Sequence, residues 1–470
     1  MLGNAPPESG PLPQPEVMRD EEGEVRAAFV ASVRTAIATE NREALAALAG
    51  DLHEADLGAL IEALDAEDRP RLIALMGRDF DFAALTEVDD AMREEILEDV
   101  PNAAIAAGVR DLDSDDAVYI LEDLDAADQE EVLAQLPAFE RDTLERSLDY
   151  PEESAGRRMQ ADYIAVPPFW TVGQTIDFMR ETADLPEKFY QIFVVDTERH
   201  VIGGVGLDTL LRAKRPVRIE AIMQPEEHTV RVDEDQEDVA DIFKRYNLVT
   251  MPVIDAEDRM VGVLTFDDIV DVIDQEADED IRALGGVKPD EELSDSVWTL
   301  ARGRFSWLFI NLITAFLASS VLKGFAGQLE KMVALAVLAP IVASQGGNAA
   351  TQTMTVVVRA IATRELDKAN ALRVVLRELF AGLLNGLAFA VITGLIASYW
   401  FGTYDLGIVI GIAMVINLIA AAVGGATIPL ALNRFGIDPA VSSAPFVTTV
   451  TDIVGFFAFL GVATLWFGLA

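Results

Sequence analysis

FVTTVTDIVGFFAFLGVATLWFGL, residues 446–469, holds a single charged side chain, Asp452, in 24 positions. A helix of this length covers the roughly 30 Å hydrocarbon core at about 1.5 Å per residue. Asp452 lies about six residues in, between Thr451 and Ile453. A carboxylate at membrane depth costs about 2.5–3.5 kcal/mol on insertion scales, and it faces a bundle interior or a water-filled path rather than lipid. The stretch therefore predicts a membrane bundle. It leaves open whether its carboxylate serves ions, protons or packing.

Four more apolar stretches precede it, at about 305–322, 332–358, 378–401 and 406–432, so five spans are expected. With the soluble half in the cytosol, the inner side carries Arg302, Arg304, Arg359, Arg364, Lys368, Arg373, Arg377 and Arg434, and the outer side only Lys323 and Lys331. This satisfies the positive-inside rule and directs the C-terminus outward. The expectation is a multi-pass protein of the inner or plasma membrane with a cytoplasmic N-terminus.

The net charge of −43 is uneven. Residues 301–470 contain about 10 basic and 7 acidic side chains, which leaves about 26 and 72 in residues 1–300. A soluble half this acidic repels nucleic acid and anionic lipid and attracts cations. The same charge suits a solvated surface in a salty medium. The N-terminus, MLGNAPPESGPLPQPEVMRDEEGE, has no basic region followed by an apolar run, so it is not read as a signal peptide. Residues 1–21 are expected to form a disordered tail.

Residues 22–155 read as short amphipathic helices. LDAEDRPRLIALM (from Leu64) and LDAADQEEVLAQL (from Leu124) echo each other, each with an Asp at a plausible N-cap, and suggest a superhelical array. A second repeat is clearer. FVVDTERHVIGGVGLDTLL (from Phe193) and PVIDAEDRMVGVLTFDDIV (from Pro252) align without a gap and pair Asp196 with Asp255, Gly203 with Gly262 and Asp208 with Asp267. This strand–turn–strand–helix unit resembles a pair of CBS motifs over residues 156–274. Residues 275–300 are expected as a connecting helix and a linker containing Gly285, Gly286 and Pro289, before the membrane domain at 301–470.

Chemistry is narrowed by absence. The sequence has no cysteine, its three histidines (His53, His200, His228) have no ligand spacing, and no GxxxxGK[ST] loop occurs. An enzyme has almost no support. The second span contains Pro340 and SQGGNAATQT, where Pro and Gly-Gly loosen the helix and free carbonyls; Asn348, Thr351, Gln352 and Thr353 add neutral oxygens. Packing through small residues is the competing explanation. In the fifth span Thr448, Thr449 and Thr451 stand beside Asp452. Oxygen-only donors suit a hard cation such as Mg²⁺ or Ca²⁺, and one carboxylate with neutral oxygens suits a hydrated ion. A proton relay or a structural carboxylate remains open at this point. One Asp cannot enclose an ion, so a symmetric dimer is attractive.

Acidic helical repeats, a CBS pair, a linking helix and five spans, with GGNAATQ and TTVTDIVG, together resemble the MgtE magnesium channel family. The resemblance covers nearly the whole chain after residue 20. It implies a multidomain fold: an all-α superhelical N domain, an α/β CBS-pair domain, a connecting (plug) helix and a five-helix α transmembrane domain. It implies a homodimer with a pore lined by the second and fifth spans, a selectivity carboxylate at Asp452, and pore residues Asp438, Asn348, Gln352 and Thr448. It places regulatory Mg²⁺ near Asp115, Asp235, Glu237, Asp268, Asp271, Glu276, Glu279 and Asp280. Asn247 and Tyr119 stand where acids are expected. Tyr190 is the expected aromatic of an ATP site, but Asp208-Thr209 replaces an expected Arg-Asp, and an Asp there opposes a phosphate. The implied activity is a Mg²⁺-selective uptake channel closed by cytosolic Mg²⁺. The alternatives are a cation-coupled secondary transporter of divalent metal and a non-conducting membrane sensor of Mg²⁺ or nucleotide.

Overall fold

A computed structural model describes residues 18–182, 185–186, 188–288, 291, 296–366 and 370–469, without the side chains of 441–443. Residues 1–17 of the expected tail, the linker residue Pro289 and Lys368 lie outside the described residues. The chain divides into two compact units, Met1–Ile273 and Asp274–Ala470. The remainder of the expected tail is folded. Met18 is buried in the helical core, and the Arg19 guanidinium donates to Asp56 at 2.6 Å. An apolar side chain and a cation with a partner each give this segment a reason to stay down.

From Ala27 to Leu148 the first unit is a run of short helices around one apolar core containing Phe29, Leu45, Leu60, Leu85, Ile105 and Ile120. Local caps set the helix starts. Asp125 accepts from Ala127 N and Asp128 N, both at 2.9 Å, and opens the helix Ala126–Gln135 as its sequence predicts. Its echo behaves differently. Asp65 does not cap; the helix there is Arg69–Met76, with Asp68 at the N-cap and Pro70 in its first turn. Proline fixes φ for a helical first turn, so it moves the start past Asp65.

The second repeat folds as two matching three-stranded sheets. The first is β1 (Ala165–Val166), β2 (Gln191–Val195) and β3 (Val201–Gly206); the second is β4 (Val230–Arg231), β5 (Thr250–Ile254) and β6 (Met260–Thr265). Each pairs its short strand in parallel and its hairpin antiparallel, and each hairpin slips register at the equivalent step, Val194/Val195 and Val253/Ile254. Gly203 faces Val194 as Gly262 faces Val253. A Cβ on Gly262 would collide with Met159 and the Gln160 carbonyl, so the close approach of backbone there needs glycine.

The helix after β6 runs unbroken from Phe266 to Leu284. No Gly or Pro interrupts it, so the last CBS helix and the expected connecting helix are one rod. It ends at Gly285-Gly286, the latter at φ +70°. In the second unit, its residue Ala283 is buried with Ala350, Met354, Ala421, Ala440 and Val447 of the membrane helices.

Among the described residues, five helices are long and apolar enough to cross a membrane: Val297–Gly324, Val333–Ala362, Ala371–Phe401, Tyr404–Arg434 and, within Pro439–Phe467, Ala444–Phe467. Their most apolar windows are 6%, 39%, 11%, 61% and 39% buried, which makes the fourth span the hub and leaves the first and third at the edge. Small residues bring the third and fourth spans together, Gly394 against Gly407. Lys331 Nζ donates to the Leu469 carbonyl at 3.0 Å, and the Trp466 indole donates to Asp405 at 3.2 Å. The starts of spans two and four therefore share one end of the bundle with the finish of span five, as alternating spans require.

Candidate metal sites

Asp452 is half-buried on the fifth span and lines a cavity of about 310 Å³ with Ala336, Pro340, Ala343 and Phe456. Pro340 has no N–H to donate to the Ala336 carbonyl one turn earlier. The residue carrying that freed carbonyl thus lines the same cavity as the carboxylate. Thr448 donates to the Ala444 and Pro445 carbonyls at 2.9 and 3.2 Å, and Thr451 donates to Thr448 O at 2.9 Å. With their protons spent inside the helix, these hydroxyls keep only lone pairs, and Thr451 is fully buried.

Asn348 and Gln352 are exposed, on one face of the second span with Ser344, Thr351 and Thr355. The opposite face, including Val342, Gly346, Ala350 and Val357, is buried. Among the described residues neither carboxamide makes a hydrogen bond, and neither lines the Asp452 cavity. A polar stripe facing hydrocarbon is costly, because nothing there satisfies it.

Sequence reasoning missed Asn417. It is 0% exposed at the centre of the hub span. Its Nδ2 donates to the Val342 carbonyl at 2.8 Å, and its Oδ1 is buried without a partner. Gly346 of the GGN motif and Gly455 of TDIVG both pack on its carboxamide, where a Cβ would overlap it. Asn417 therefore joins the two motif-bearing spans. The available signal was one amide within MVINLIAAA.

Below the fifth span, Asp438 is the N-cap of Pro439–Phe467 and accepts from Ala440 N at 2.8 Å. Asp280 of the connecting helix lies within its field. Burial first, then repulsion by Asp438, pushes the Asp280 carboxyl up from its ordinary range. Glu276 and Glu279 are half-buried on the same rod.

The densest charge lies inside the first unit, along a seam between the helix Ser114–Leu121 and the start of Phe266–Leu284. Ser114 anchors the seam by accepting from Ala161 N at 2.6 Å. The Asp115 Oδ1 is fully buried with no hydrogen-bond partner. Burial, then Asp268, Asp116 and Asp113, hold the Asp115 carboxyl well above its usual range. Burial, then Asp268, Asp113, Glu54 and Glu87, push Asp116 up to about 7, and burial with Asp267 and Asp271 pushes Asp268 up to about 6, although Thr265 donates to it. Glu87 is raised by burial, then by Asp271 and Glu54. The sequence had named Asp115, Asp268 and Asp271; it missed Asp116, Glu54 and Glu87. Among the described residues no group of three or more Asp, Glu, His or Cys closes on one metal position. The seam is a buried, repulsive arrangement with an orphaned oxygen.

Other predicted positions have structural roles. Asp235 caps the helix Gln236–Tyr246 by accepting from Glu237 N at 2.9 Å, and both residues are exposed. Asn247 ends that helix at φ +52°, ψ +48°, a left-handed conformation that Asn tolerates. One turn beyond Asp115, Tyr119 donates to Asp90 at 3.0 Å and lies under the Arg93 guanidinium, 4.1 Å from the ring centroid. Arg93 is 1% exposed, donates to Asp90 at 2.9 Å and pairs with Asp123. A cation of the protein's own stands there. Tyr190 is exposed before β2, and Asp208 is exposed in the first turn of Leu207–Arg212, as its sequence position required.

Comparison with known proteins agrees with this organisation. A family model described as a divalent cation transporter matches residues 339–462, one for the MgtE intracellular N domain matches 52–153, and a CBS domain model matches 219–275. The chain is 35% identical to the magnesium transporter MgtE of Thermus thermophilus over 92% of this chain and 97% of that one. It is 26% identical to the magnesium transporter MgtE of Bacillus subtilis over 88% and 92%. Among solved structures, the cytosolic domain of the Mg²⁺ channel MgtE in complex with ATP aligns with a TM-score of 0.48 at 30% identity, covering 52% of this chain and 99% of that one.

Proposed function

The chain belongs to the MgtE family of magnesium transporters, and we propose that within it this protein is a Mg²⁺-selective uptake channel closed by Mg²⁺ on the side of its soluble half. The observation that carries the reading is the buried acidic seam, where Asp115 Oδ1 has no hydrogen-bond partner and Asp268, Asp116 and Asp113 add to its field. Transport needs no catalytic group, and relatives are named as transporters rather than enzymes.

Asp452 selects the ion. Mg²⁺ dehydrates reluctantly, so a single carboxylate with the neutral oxygens of Thr448, Asn348 and Gln352 receives it with waters attached. The exposed stripe of the second span supports a homodimer, in which a second copy covers it and a second Asp452 joins the path. Asp438 and Asp280 mark the mouth, where the connecting helix reaches the fifth span.

Gating follows from repulsion. Without divalent ions the carboxylates of the seam oppose one another, and Asp235, Glu237, Asp271, Glu276 and Glu279 add to the field. Bound Mg²⁺ favours the compact arrangement. Taking a two-state gate from 1:99 to 99:1 requires about 10⁴-fold differential affinity, roughly 5.5 kcal/mol. Several weak ions of about tenfold each supply this and make closure steep. ATP at the CBS pair has weaker support, since Tyr190 is retained but Asp208 opposes phosphate. The basic residues Arg302, Arg304, Arg359, Arg364, Arg373, Arg377 and Arg434, against Lys323 and Lys331 at the other end, support a cytoplasmic soluble half and a C-terminus outside.

Flux into proteoliposomes tests the reading. The expected result is Mg²⁺ entry driven by its own electrochemical gradient and suppressed by Mg²⁺ on the soluble-half face. Entry that collapses when a pH or Na⁺ gradient is removed would establish a coupled transporter instead. No entry at all would leave a sensor.

A further inference from the structure

A cavity of about 620 Å³ opens beside the first turns of the first span, where the chain enters the membrane. Lys288, Trp298, Thr299, Arg302, Ser306 and Trp307 line it. Positions 298, 299, 302, 303, 306, 307 and 310 share one helix face, and Lys288 reaches across from the linker that follows the connecting helix. Two glycines shape the walls. Gly286, at φ +70°, lies where a Cβ would strike the Trp307 indole. At Gly303 a Cβ would lie 3.3 Å from Lys288 Cδ, so the lysine stem lies along the helix.

Charge decides the occupant. This is a chain of net charge −43, yet among the described residues neither Lys288 nor Arg302 has an ion-pair partner. Arg304, two residues on, is already held by both oxygens of Glu291, at 3.0 and 3.1 Å from its Nε. Depth points the same way. Trp298 is largely exposed, and exposed Phe305, Leu308 and Phe309 begin the hydrocarbon-facing surface just beyond. Tryptophan in this position marks the headgroup level, where basic side chains meet anionic lipid.

We propose that this cavity binds the phosphodiester headgroup of an anionic phospholipid, in the leaflet on the side of the soluble half. Lys288 and Arg302 pair with the phosphate oxygens, Thr299 and Ser306 donate to the phosphate or glycerol oxygens, and the two indoles flank the glycerol backbone. One ligand then ties the linker after the connecting helix to the first span. The site itself does not depend on whether the protein is a channel.

The test is lipid retention by the full-length protein. It is reconstituted in nanodiscs of phosphatidylcholine with one fifth phosphatidylglycerol, re-extracted in neutral detergent and weighed intact by native mass spectrometry. Wild type keeps phosphatidylglycerol in preference to phosphatidylcholine. Each basic residue near the surface is worth roughly fivefold, so Lys288→Gln with Arg302→Gln lowers that preference by about 25-fold. Lys323→Gln with Lys331→Gln, at the other end of the bundle, leaves it unchanged. The charge-preserving Lys288→Arg with Arg302→Lys keeps it, which separates lost binding from a damaged fold. Unaltered preference in the double Gln variant overturns the proposal. So does displacement by millimolar glycerol phosphate, which would make this a soluble-phosphate site, or loss of the dimer mass with lipid retained, which would make it a subunit contact. Retention is read without transport, so a failure of the channel reading leaves this result intact.

Discussion

In the proposed function, the acidic seam of the first unit and the Asp452 cavity of the second handle cations by opposite means. The seam crowds Asp115, Asp116 and Asp268 together with Glu54, Glu87 and Asp271 nearby, and leaves Asp115 Oδ1 unpaired. The Asp452 cavity presents one carboxylate among apolar walls that include Ala336, whose carbonyl Pro340 leaves free. In the proposed gate, mutual repulsion among these carboxylates is what makes occupancy by a cation change the structure. In the proposed pore, one carboxylate with weak neutral partners lets an ion enter and leave. A third place is a control for both: at Arg93 the protein supplies the cation itself.

The largest effect should come from the membrane path. Asp452→Asn removes the charge without changing the size, and Mg²⁺ flux should fall about 10³-fold, roughly 4 kcal/mol. Mg²⁺-dependent stabilisation of the soluble unit should survive in the same variant. Flux assays and thermal unfolding on one preparation check both halves, and loss of both together would erase the distinction.

Next in size is the control. Arg93→Met leaves Asp90 and Asp123 without their cation, one of them largely buried, and should cost about 3 kcal/mol in denaturant unfolding without moving the Mg²⁺ dependence. A shift in Mg²⁺ response would mean that Arg93 belongs to the exchangeable set.

The seam itself should respond more mildly. Asp115→Asn with Asp268→Asn removes mutual repulsion, so the Mg²⁺-free protein should be as stable as wild type or more so. The Mg²⁺ concentration for half-closure should rise about tenfold, about 1.4 kcal/mol of lost binding. A variant less stable than wild type without Mg²⁺ would show that these carboxylates attract a partner in the protein.

The smallest effect is with pH. The folded carboxyls are raised, Asp116 to about 7 and Asp268 to about 6, so the folded state binds protons more tightly than the unfolded one. Their stabilisation is complete below the unfolded carboxylate range and is lost as pH rises through about 6 to 7. Without divalent ions, stability should fall steadily between pH 5 and 8 as these two carboxyls give up their protons. Saturating Mg²⁺ should flatten the curve, because the ion replaces the protons. Unfolding scans across that range read the slope, and a Mg²⁺-independent slope would place the titration elsewhere.

Features with a local or periodic cause were visible in the sequence. Hydropathy located five spans, and the ungapped repeat placed Gly203 and Gly262 at equivalent sheet positions. Asp125 capped where its own helix begins. What stayed hidden depends on partners distant in sequence. Nothing local tells that Asn417 would reach Val342 or need Gly346 and Gly455 to fit, nor that Arg93 would occupy the place where Tyr119 interrupts the acids. Asp116, half-buried one residue from Asp115, looked like ordinary helix surface until Asp268 was seen near it. Asp65 misled because the proline five residues later controls where the helix starts.

The central claim is that Mg²⁺ acting on the soluble unit closes a path selected by Asp452. Single-channel recording with Mg²⁺ varied independently on the two faces tests it most directly. Open probability should fall steeply with Mg²⁺ on the soluble-half face alone, and the Asp115→Asn, Asp268→Asn variant should need about ten times more. An open probability indifferent to Mg²⁺ on that face, in a channel that still conducts Mg²⁺, would contradict the account.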